Sequence, residues 1–317
     1  MSTAPSIHML TPDMIDFGAY IEATEGTERV RNASEYVREM AAALGQPRAD
    51  DQGDALPWGS KDRIAFRPGE LTIWAGVNGH GKSLMSGMCA VQLMAQRKKV
   101  CVASLEMRPQ STLGRMLRQW TGYDPWAKWA QQPESVAEMR QLYADFAGQA
   151  EDTLWLYDQQ GTVRADTMIG VARYCGQKLG IQHLFIDSLM KCVRGADDYN
   201  AQKDFVDALC AAAKDFGMHV HLVHHIRKLE NELKVPGKMD IKGAGEITDQ
   251  ADNVLLVWRN KTETKKRQAD DPDCMLICDK QRNGSGWEGA IKLYFDPESQ
   301  QYSEVRGESI NFAERCK

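Results

Sequence analysis

From residue 67 onward the chain alternates short apolar runs with longer amphipathic stretches. The runs Leu71–Ala75, Val100–Leu105, Leu154–Tyr157, Leu184–Ile186, Val220–Val223, Val254–Val257, Met275–Cys278 and Ala290–Phe295 are too short for helices and predict strands. Between them, Lys82–Gln96, Pro109–Trp120, Ser135–Phe146, Asp166–Leu179 and Asn200–Phe216 carry helical periodicity. Pro109 suits a first helical turn, and Gly180 and Gly217 stand where left-handed C-caps belong. Strand–helix alternation up to residue 225 predicts an α/β fold, a mostly parallel sheet with helices on both faces. The last three strands have no helix between them and are expected to form an antiparallel C-terminal extension. No internal repeat is visible.

The first 60 residues follow another pattern, with ten acidic residues against four Lys or Arg. Ser34–Leu44 reads as one short amphipathic helix stopped by Gly45 and Pro47, and Asp50–Gly59 has the polar, turn-rich chemistry of a linker. A single helix cannot bury its own apolar face, so it must dock on this domain or on a neighbouring subunit. The expected division is an N-terminal acidic segment, 1–60, and an α/β domain, 61–317.

Hydrophobic residues make up 43% of the 317 and charged residues 26%, the balance of a globular chain. The net charge of -5 offers no general attraction for nucleic acid, so such a partner would need a local basic surface. The eight cysteines, at 89, 101, 175, 192, 210, 274, 278 and 316, form no CxxC pair, and most have apolar neighbours. That usage suits a reducing compartment, and the closest pair, Cys274 and Cys278, lies in a strand-like run rather than a metal knuckle. With no apolar run of about 18 residues and no signal-peptide pattern, a cytoplasmic location away from membranes is expected.

Gly76–Ser83 reads GVNGHGKS, a complete G-x-x-x-x-G-K-[ST] phosphate loop between the strand LTIWA and a helix. Gly76, Asn78, Gly79, His80, Gly81, Lys82, Ser83 and Leu84 are the candidate cradle. Backbone N–H groups and the helix N-terminus suit phosphate, Lys82 the β- and γ-phosphates, and Ser83 a Mg²⁺ ion. The expected cofactors are therefore ATP and Mg²⁺. Asp187, at the end of HLFIDS, is the candidate second metal-holding residue, with a helix N-cap as its plainer reading. Glu106 follows the strand VCVASL, where a carboxylate can orient water; an exposed loop glutamate is the alternative. In VHLVHHIRK, His219 and His221 fall on one strand face while His224 and His225 face opposite ways, so the imidazoles do not converge on a metal. His225 is the candidate γ-phosphate sensor, with His224 left open beside it.

Five blocks in order, GVNGHGKS (76–83), SLEM (104–107), LFIDS (184–188), HHIRK (224–228) and KGAGEITDQADNVLLVWRNK (242–261) with DKQRNG (279–284), resemble the RecA-like motor of superfamily 4 replicative helicases. This is the group of DnaB, the phage primase–helicases and Twinkle, and the resemblance covers about residues 55–305. It implies a hexameric, ATP-driven ring that translocates on single-stranded DNA. Carried over by position, Glu106 is similar to the catalytic base, His225 to the sensor, and Lys280 and Arg282 to cations donated across the subunit interface. A cation supplied in trans stabilises charge developing on the γ-phosphoryl and is worth about 10³–10⁵ in rate.

Two loops are expected to hold DNA backbone. Met190–Tyr199 carries Lys191 and Arg194; Ile226–Gly245 carries Arg227, Lys228, Lys234, Lys238 and Lys242, followed by Gly243, Ala244 and Gly245. Any single lysine there is equally compatible with a solvated charged loop, and Glu230, Glu232 and Asp240 dilute the charge. Tyr294, Phe295 and Tyr302 lie near the expected nucleobase platform but also suit the core, and Trp120, Trp126, Trp129 and Trp155 read as packing. The resemblance makes Glu35–Leu44 the linker helix that docks on the adjacent subunit. It also implies a helicase-only chain of a phage or plasmid replicon, with a separate primase, polymerase or loader as candidate partner. The competing reading is a RecA- or RadA-like recombinase or filament-forming switch; KQRNG and HHIRK favour the helicase.

Overall fold

The computed structural model describes residues 8–16, 18, 33–42, 53–131, 135–193, 198–226, 235–241, 244–262, 266–268 and 270–315. Its strands are β1 (His8–Leu10), β2 (Asp54–Ala55), β3 (Ala65–Phe66), β4 (Leu71–Gly76), β5 (Val100–Ser104), β6 (Leu154–Tyr157), β7 (His183–Asp187), β8 (His219–His225), β9 (Asn253–Arg259), β10 (Cys274–Gln281), β11 (Gly289–Asp296) and β12 (Gln301–Ser303). Its helices are α1 (Ala33–Ala42), α2 (Lys82–Ala95), α3 (Pro109–Thr121), α4 (Pro125–Gln131), α5 (Val136–Glu151), α6 (Ala165–Tyr174), α7 (Leu189–Cys192), α8 (Tyr199–Phe216), α9 (Ala244–Gln250) and α10 (Phe312–Arg315).

Ten strands form one sheet in the order β1-β6-β5-β7-β8-β4-β9-β10-β11-β12. The central strands read as apolar runs because both of their faces are covered; every residue of β4 is buried. One face packs on α6 and α8 through Met168, Val171, Phe205 and Leu209. The other packs on α2 and α3 through Met85, Met88, Leu117 and Trp120. Gly180 and Gly217 do end their helices in the left-handed conformation, at φ +62° and +59°. The stretch expected as one helix to Leu179 is α6 followed by a π-helical turn, Cys175–Leu179.

Two features depart from the sequence expectation. The three strands of the expected extension do pair antiparallel, β9 with β10 and β10 with β11, but β9 also pairs parallel with β4, and β12 closes the edge. A helix does precede β9: α9 ends at Gln250 and leads into Asn253, as a crossover helix does before a parallel strand. Second, the N-terminal segment enters the fold. β1 pairs parallel with β6, and β2 pairs with β3 across the expected linker. Three- and two-residue strands are too short to carry a readable period. α1 falls where the amphipathic helix was expected.

Trp120 and Trp155 are buried, as their packing role requires. Trp126 is instead 57% exposed, set edge-on to Tyr143 on the α4–α5 hairpin. The seven cysteines of the described residues are buried and free. No helix of the described residues is long and apolar enough to cross a membrane.

Under the α2 face of the sheet the histidines make a directed chain. Trp74 Nε1 donates to His221 Nδ1 (3.3 Å), His221 Nε2 lies 3.2 Å from His183 Nδ1, and His183 Nε2 lies 3.0 Å from Asp54 Oδ2. His219 bonds the Arg67 carbonyl and the Thr72 hydroxyl. The Phe185 ring stacks on His221 at 3.9 Å. These imidazoles are core hydrogen-bonding groups, and no group of three or more His, Cys, Asp or Glu among the described residues is arranged to hold a metal ion.

Candidate nucleotide site and motor surfaces

In a parallel sheet the C-terminal strand ends form the natural ligand edge. Here register brings the expected groups to it: Gly76 opposes His225, and Asp187 opposes both Ser104 and Val223. The phosphate loop leaves β4 at Gly76 and enters α2 at Lys82. Gly79 and Gly81 take φ +77° and +94°, conformations that favour glycine. A Cβ on Gly81 would overlap the Tyr302 hydroxyl, and one on Gly76 would overlap the Val257 carbonyl. The loop is thus packed on its outside, leaving its backbone to face a ligand. His80 is buried and accepts from the Arg259 backbone N–H at 3.2 Å, which ties the loop to β9.

Lys82 is 5% exposed and donates to the carbonyls of Gly76 (2.9 Å) and Val77 (3.0 Å). Burial pushes its ammonium down to about 8, while Asp187 and Glu106 act in the opposite direction. Asp187 is shifted the other way: burial raises its carboxyl, against a hydrogen bond from Ser83 and the nearby Lys82 and Arg115. A hydroxyl bonded to a buried carboxylate beside the loop is a donor set suited to Mg²⁺. The phosphate cradle and this pair therefore fit a Mg²⁺–nucleoside triphosphate. The peptide from Asp187 to Ser188 is cis.

Glu106 stands just past β5, and the Leu105 N–H bonds the Asp187 carbonyl at 2.9 Å, fixing the two strand ends together. Its carboxylate lies 3.8 Å from Lys191 Nζ. His224 is fully buried, whereas His225 is half-buried at the tip of β8 beside Gly76. A narrow pocket lies between α2 and α3, lined by Ser83, Ser104, Arg115, Phe185, Asp187 and Val223. A cleft lies on the other side of the loop, between Gly79, Gly81, Leu84, Arg259, Phe295 and Tyr302. Tyr302 is 5% exposed and belongs to the core, Phe295 is half-buried at the cleft, and Tyr294 carries the Arg306 guanidinium 4.5 Å from its ring.

Lys280 and Arg282 do not meet this edge. Gln281 opposes Asn253 at the start of β9, and Asn253 opposes Thr72 near the start of β4. The length of β4, roughly 16 Å at 3.3 Å per residue, separates them from their own phosphate loop. Lys280 Nζ donates to the carbonyls of Thr248 (2.7 Å) and Asp249 (3.0 Å). Arg282 binds Asp252 and the Asp249 carbonyl. Lys238 anchors its own turn: its backbone N–H bonds the Asp279 carboxylate, and its Nζ bonds the Asp279 carbonyl at 3.3 Å. Gly245 is exposed at the start of α9. Arg194, Arg227, Lys228, Lys242 and Gly243, as well as the side chain of Ala244, lie outside the described residues. Arg115, Arg259 and the partners of Arg282 escaped the sequence reading, because no short motif marks a contact made over tens of residues.

A sheet of this order, with a glycine loop, a buried carboxylate and a polar strand tip on one edge, defines a RecA-like phosphate-loop domain. Residues 62–304 match the DnaB-like helicase C-terminal domain, and the chain belongs to that family. It is similar to a probable plasmid replicative DNA helicase of Chlamydia muridarum, 25% identical over 266 residues, and to one of Chlamydia trachomatis, 22% identical over 264. Each match covers 80% of this chain and 55% of the relative, so the chain spans about half the length of these curated relatives. Among solved structures, a DnaB-like replicative helicase described with its primase interactions superposes with a TM-score of 0.67 at 17% identity. That match covers 87% of this chain and 68% of the other. A solved ATPase domain gives 0.65 at 18% identity, over 90% of this chain and 100% of its own. These two likenesses concern the fold.

Proposed function

We propose that the chain is the ATP-hydrolysing motor of a replicative-type DNA helicase, working as a hexameric ring that moves along single-stranded DNA. Lys82 binds the β- and γ-phosphates, and Ser83 with Asp187 holds the metal. Glu106 orients the attacking water and takes its proton at the carboxylate, and His225 reports on the γ-phosphate from the tip of β8. The bound Mg²⁺ would neutralise charge on the β- and γ-oxygens. The cleft walled by Arg259 and Phe295 is shaped to take the nucleobase and sugar.

The observation that carries this reading is the position of Lys280 and Arg282, at the sheet edge opposite their own phosphate loop. Cations so placed act on another copy's nucleotide or on none. Turnover then depends on the neighbour, which is what sequential firing around a ring requires. Lys191 and the basic residues of 226–245 are the proposed DNA contacts, with single-stranded DNA, further copies of the chain, and a primase or loader as partners. α1, in the acidic segment 1–60, is the proposed contact to the adjacent subunit, and 61–317 the motor.

The test is ATP hydrolysis with and without single-stranded DNA, beside strand displacement on a forked duplex. Arg282→Ala is expected to bind nucleotide and lose turnover. Mixed with Lys82→Ala it regains hydrolysis at interfaces that combine an intact loop with an intact cation. A mixture as inactive as its two components would refute the trans arrangement.

A further inference from the structure

We infer that Asp252 is a positioning residue for Arg282, holding the guanidinium that one subunit offers to the nucleotide of the next. This rests on the trans reading above. Asp252 is 4% exposed, and its two carboxylate oxygens are divided between two elements. Oδ2 accepts from the Leu71 backbone N–H at 2.9 Å, at the first residue of the phosphate-loop strand. Oδ1 accepts from Arg282 Nη1 at 3.0 Å. The backbone repeats the connection: the Asp252 N–H bonds the Leu71 carbonyl at 3.0 Å, and the Arg282 N–H bonds the Asp252 carbonyl at 2.8 Å. The carboxylate therefore has one place to be.

A buried carboxylate demands a cation or several donors, and Arg282 forms an ion pair with this one. The other arm of the guanidinium, Nη2, donates to the Asp249 carbonyl at 2.7 Å and lies 3.4 Å from that of Gln250. These are the last carbonyls of α9, where a helix end carries partial negative charge. Two acceptors at an angle fix the plane of the fork as well as its position. The side chain nevertheless stays 42% exposed. One side of the guanidinium is held, and the other faces outward from a fixed point. A long arginine without that hold samples many rotamers, and a displacement of about 1 Å can cost about 100-fold in rate. Asp252 does not reach a nucleotide in its own subunit or the next; it acts through Arg282.

The test uses the full chain carrying Asp252→Asn, which keeps the shape and the acceptor for Leu71 but removes the charge. Binding of a fluorescent ATP analogue is expected to stay at the wild-type level while turnover falls about 100-fold. Adding Asp252→Asn to Arg282→Ala should slow the enzyme no further, since the group it acts on is gone. Mixed with Lys82→Ala, the Asp252→Asn protein should recover hydrolysis, because it supplies a sound phosphate loop. Wild-type turnover in Asp252→Asn, or losses that multiply in the double variant, would overturn the inference. Recovery with Arg282→Ala but not with Asp252→Asn in the Lys82→Ala mixture would assign Asp252 to its own site and also overturn it. Failure of both mixtures would instead remove the trans reading. If Asp252→Asn melts below the assay temperature, Arg282→Lys decides: it keeps the charge at an exposed position but cannot hold both acceptors, so its turnover should fall likewise, and undiminished turnover would overturn the proposal.

Discussion

Lys191 Nζ stands 3.8 Å from Oε1 of Glu106, so the segment that follows β7 touches the residue that follows β5. Both side chains are about a third to a half exposed, at 35% and 45%, and such a pair adds little stability. Its interest is in what the two residues are proposed to do. One is the water-orienting carboxylate, and the other opens a DNA-binding segment. A DNA phosphate that draws Lys191 away changes the charge beside the carboxylate in the same movement. Lys191→Ala is therefore expected to bind nucleotide normally but to lose most of the stimulation of ATP hydrolysis by single-stranded DNA. The salt dependence of DNA binding should flatten by about 0.7 in log–log slope, the loss of one phosphate contact. Unchanged stimulation together with an unchanged slope would remove Lys191 from the DNA surface.

Glu106→Gln separates binding from chemistry. The amide keeps the size of the side chain and loses its capacity to take a proton. Nucleotide affinity should hold while the single-turnover hydrolysis rate drops by about 10²–10⁴, the usual contribution of a general base. A variant that hydrolyses within a few-fold of wild type would shift the role to another group on this edge.

The buried histidines make stability depend on pH. Burial, the largest cause for all three, depresses His183, His221 and His219, the last to about 3. Asp54 raises His183 in part, and Lys98, paired with Asp54 at 2.8 Å, works against it. Arg67 further lowers His219, and its guanidinium lies 4.0 Å from Glu70. A histidine whose folded pKa is depressed binds fewer protons folded than unfolded, so its contribution is present above the unfolded value of 6.5 and is lost as pH falls below it. Burial raises Glu70, which acts in the opposite sense nearer its own range. The urea midpoint should therefore fall between pH 6.5 and 5, above the titration of ordinary carboxylates. His183→Gln should flatten that fall. A midpoint constant across this window would contradict the neutral histidine chain.

The strands and the phosphate loop were legible because their signals are local. Buried runs of Leu, Ile and Val mark β4 to β9, and GVNGHGKS sits where a strand meets a helix. The antiparallel pairing of β9, β10 and β11 was legible, but the parallel pairing of β9 with β4 was not, since it is set by the crossover through α9 and not by the residues of β9. His8–Leu10 carries too few residues to announce an edge strand. Trp126 has the composition of a core residue and an exposed position. The pairs Lys191–Glu106 and Arg282–Asp252 join residues far apart in the chain, and only the sheet order brings them together.

Asp279 gives a last test, because Asp279, Lys280 and Arg282 together hold the second proposed DNA loop and the helix that follows it. On one flank, Asp279 binds the backbone N–H and, through its carbonyl, the ammonium of Lys238. On the other, Lys280 and Arg282 bind the C-terminal carbonyls of α9. A pull on the loop is therefore expected to reach the strand end that carries the two cations proposed to act in trans. Asp279→Ala removes the carboxylate that holds the Lys238 N–H, keeps the carbonyl that holds its ammonium, and leaves Lys280 and Arg282 in place. Hydrolysis without DNA is expected to remain within a few-fold of wild type, whereas stimulation by single-stranded DNA and strand displacement should both fall. The side chain is half-buried and accepts one backbone N–H, so the cost in stability should be about 1–3 kcal/mol. Measuring both rates on one preparation distinguishes the cases. A proportional loss of basal and stimulated turnover would mean that Asp279 supports the site itself. Loss confined to the DNA-dependent part is the outcome that a mechanical link between loop and cation requires.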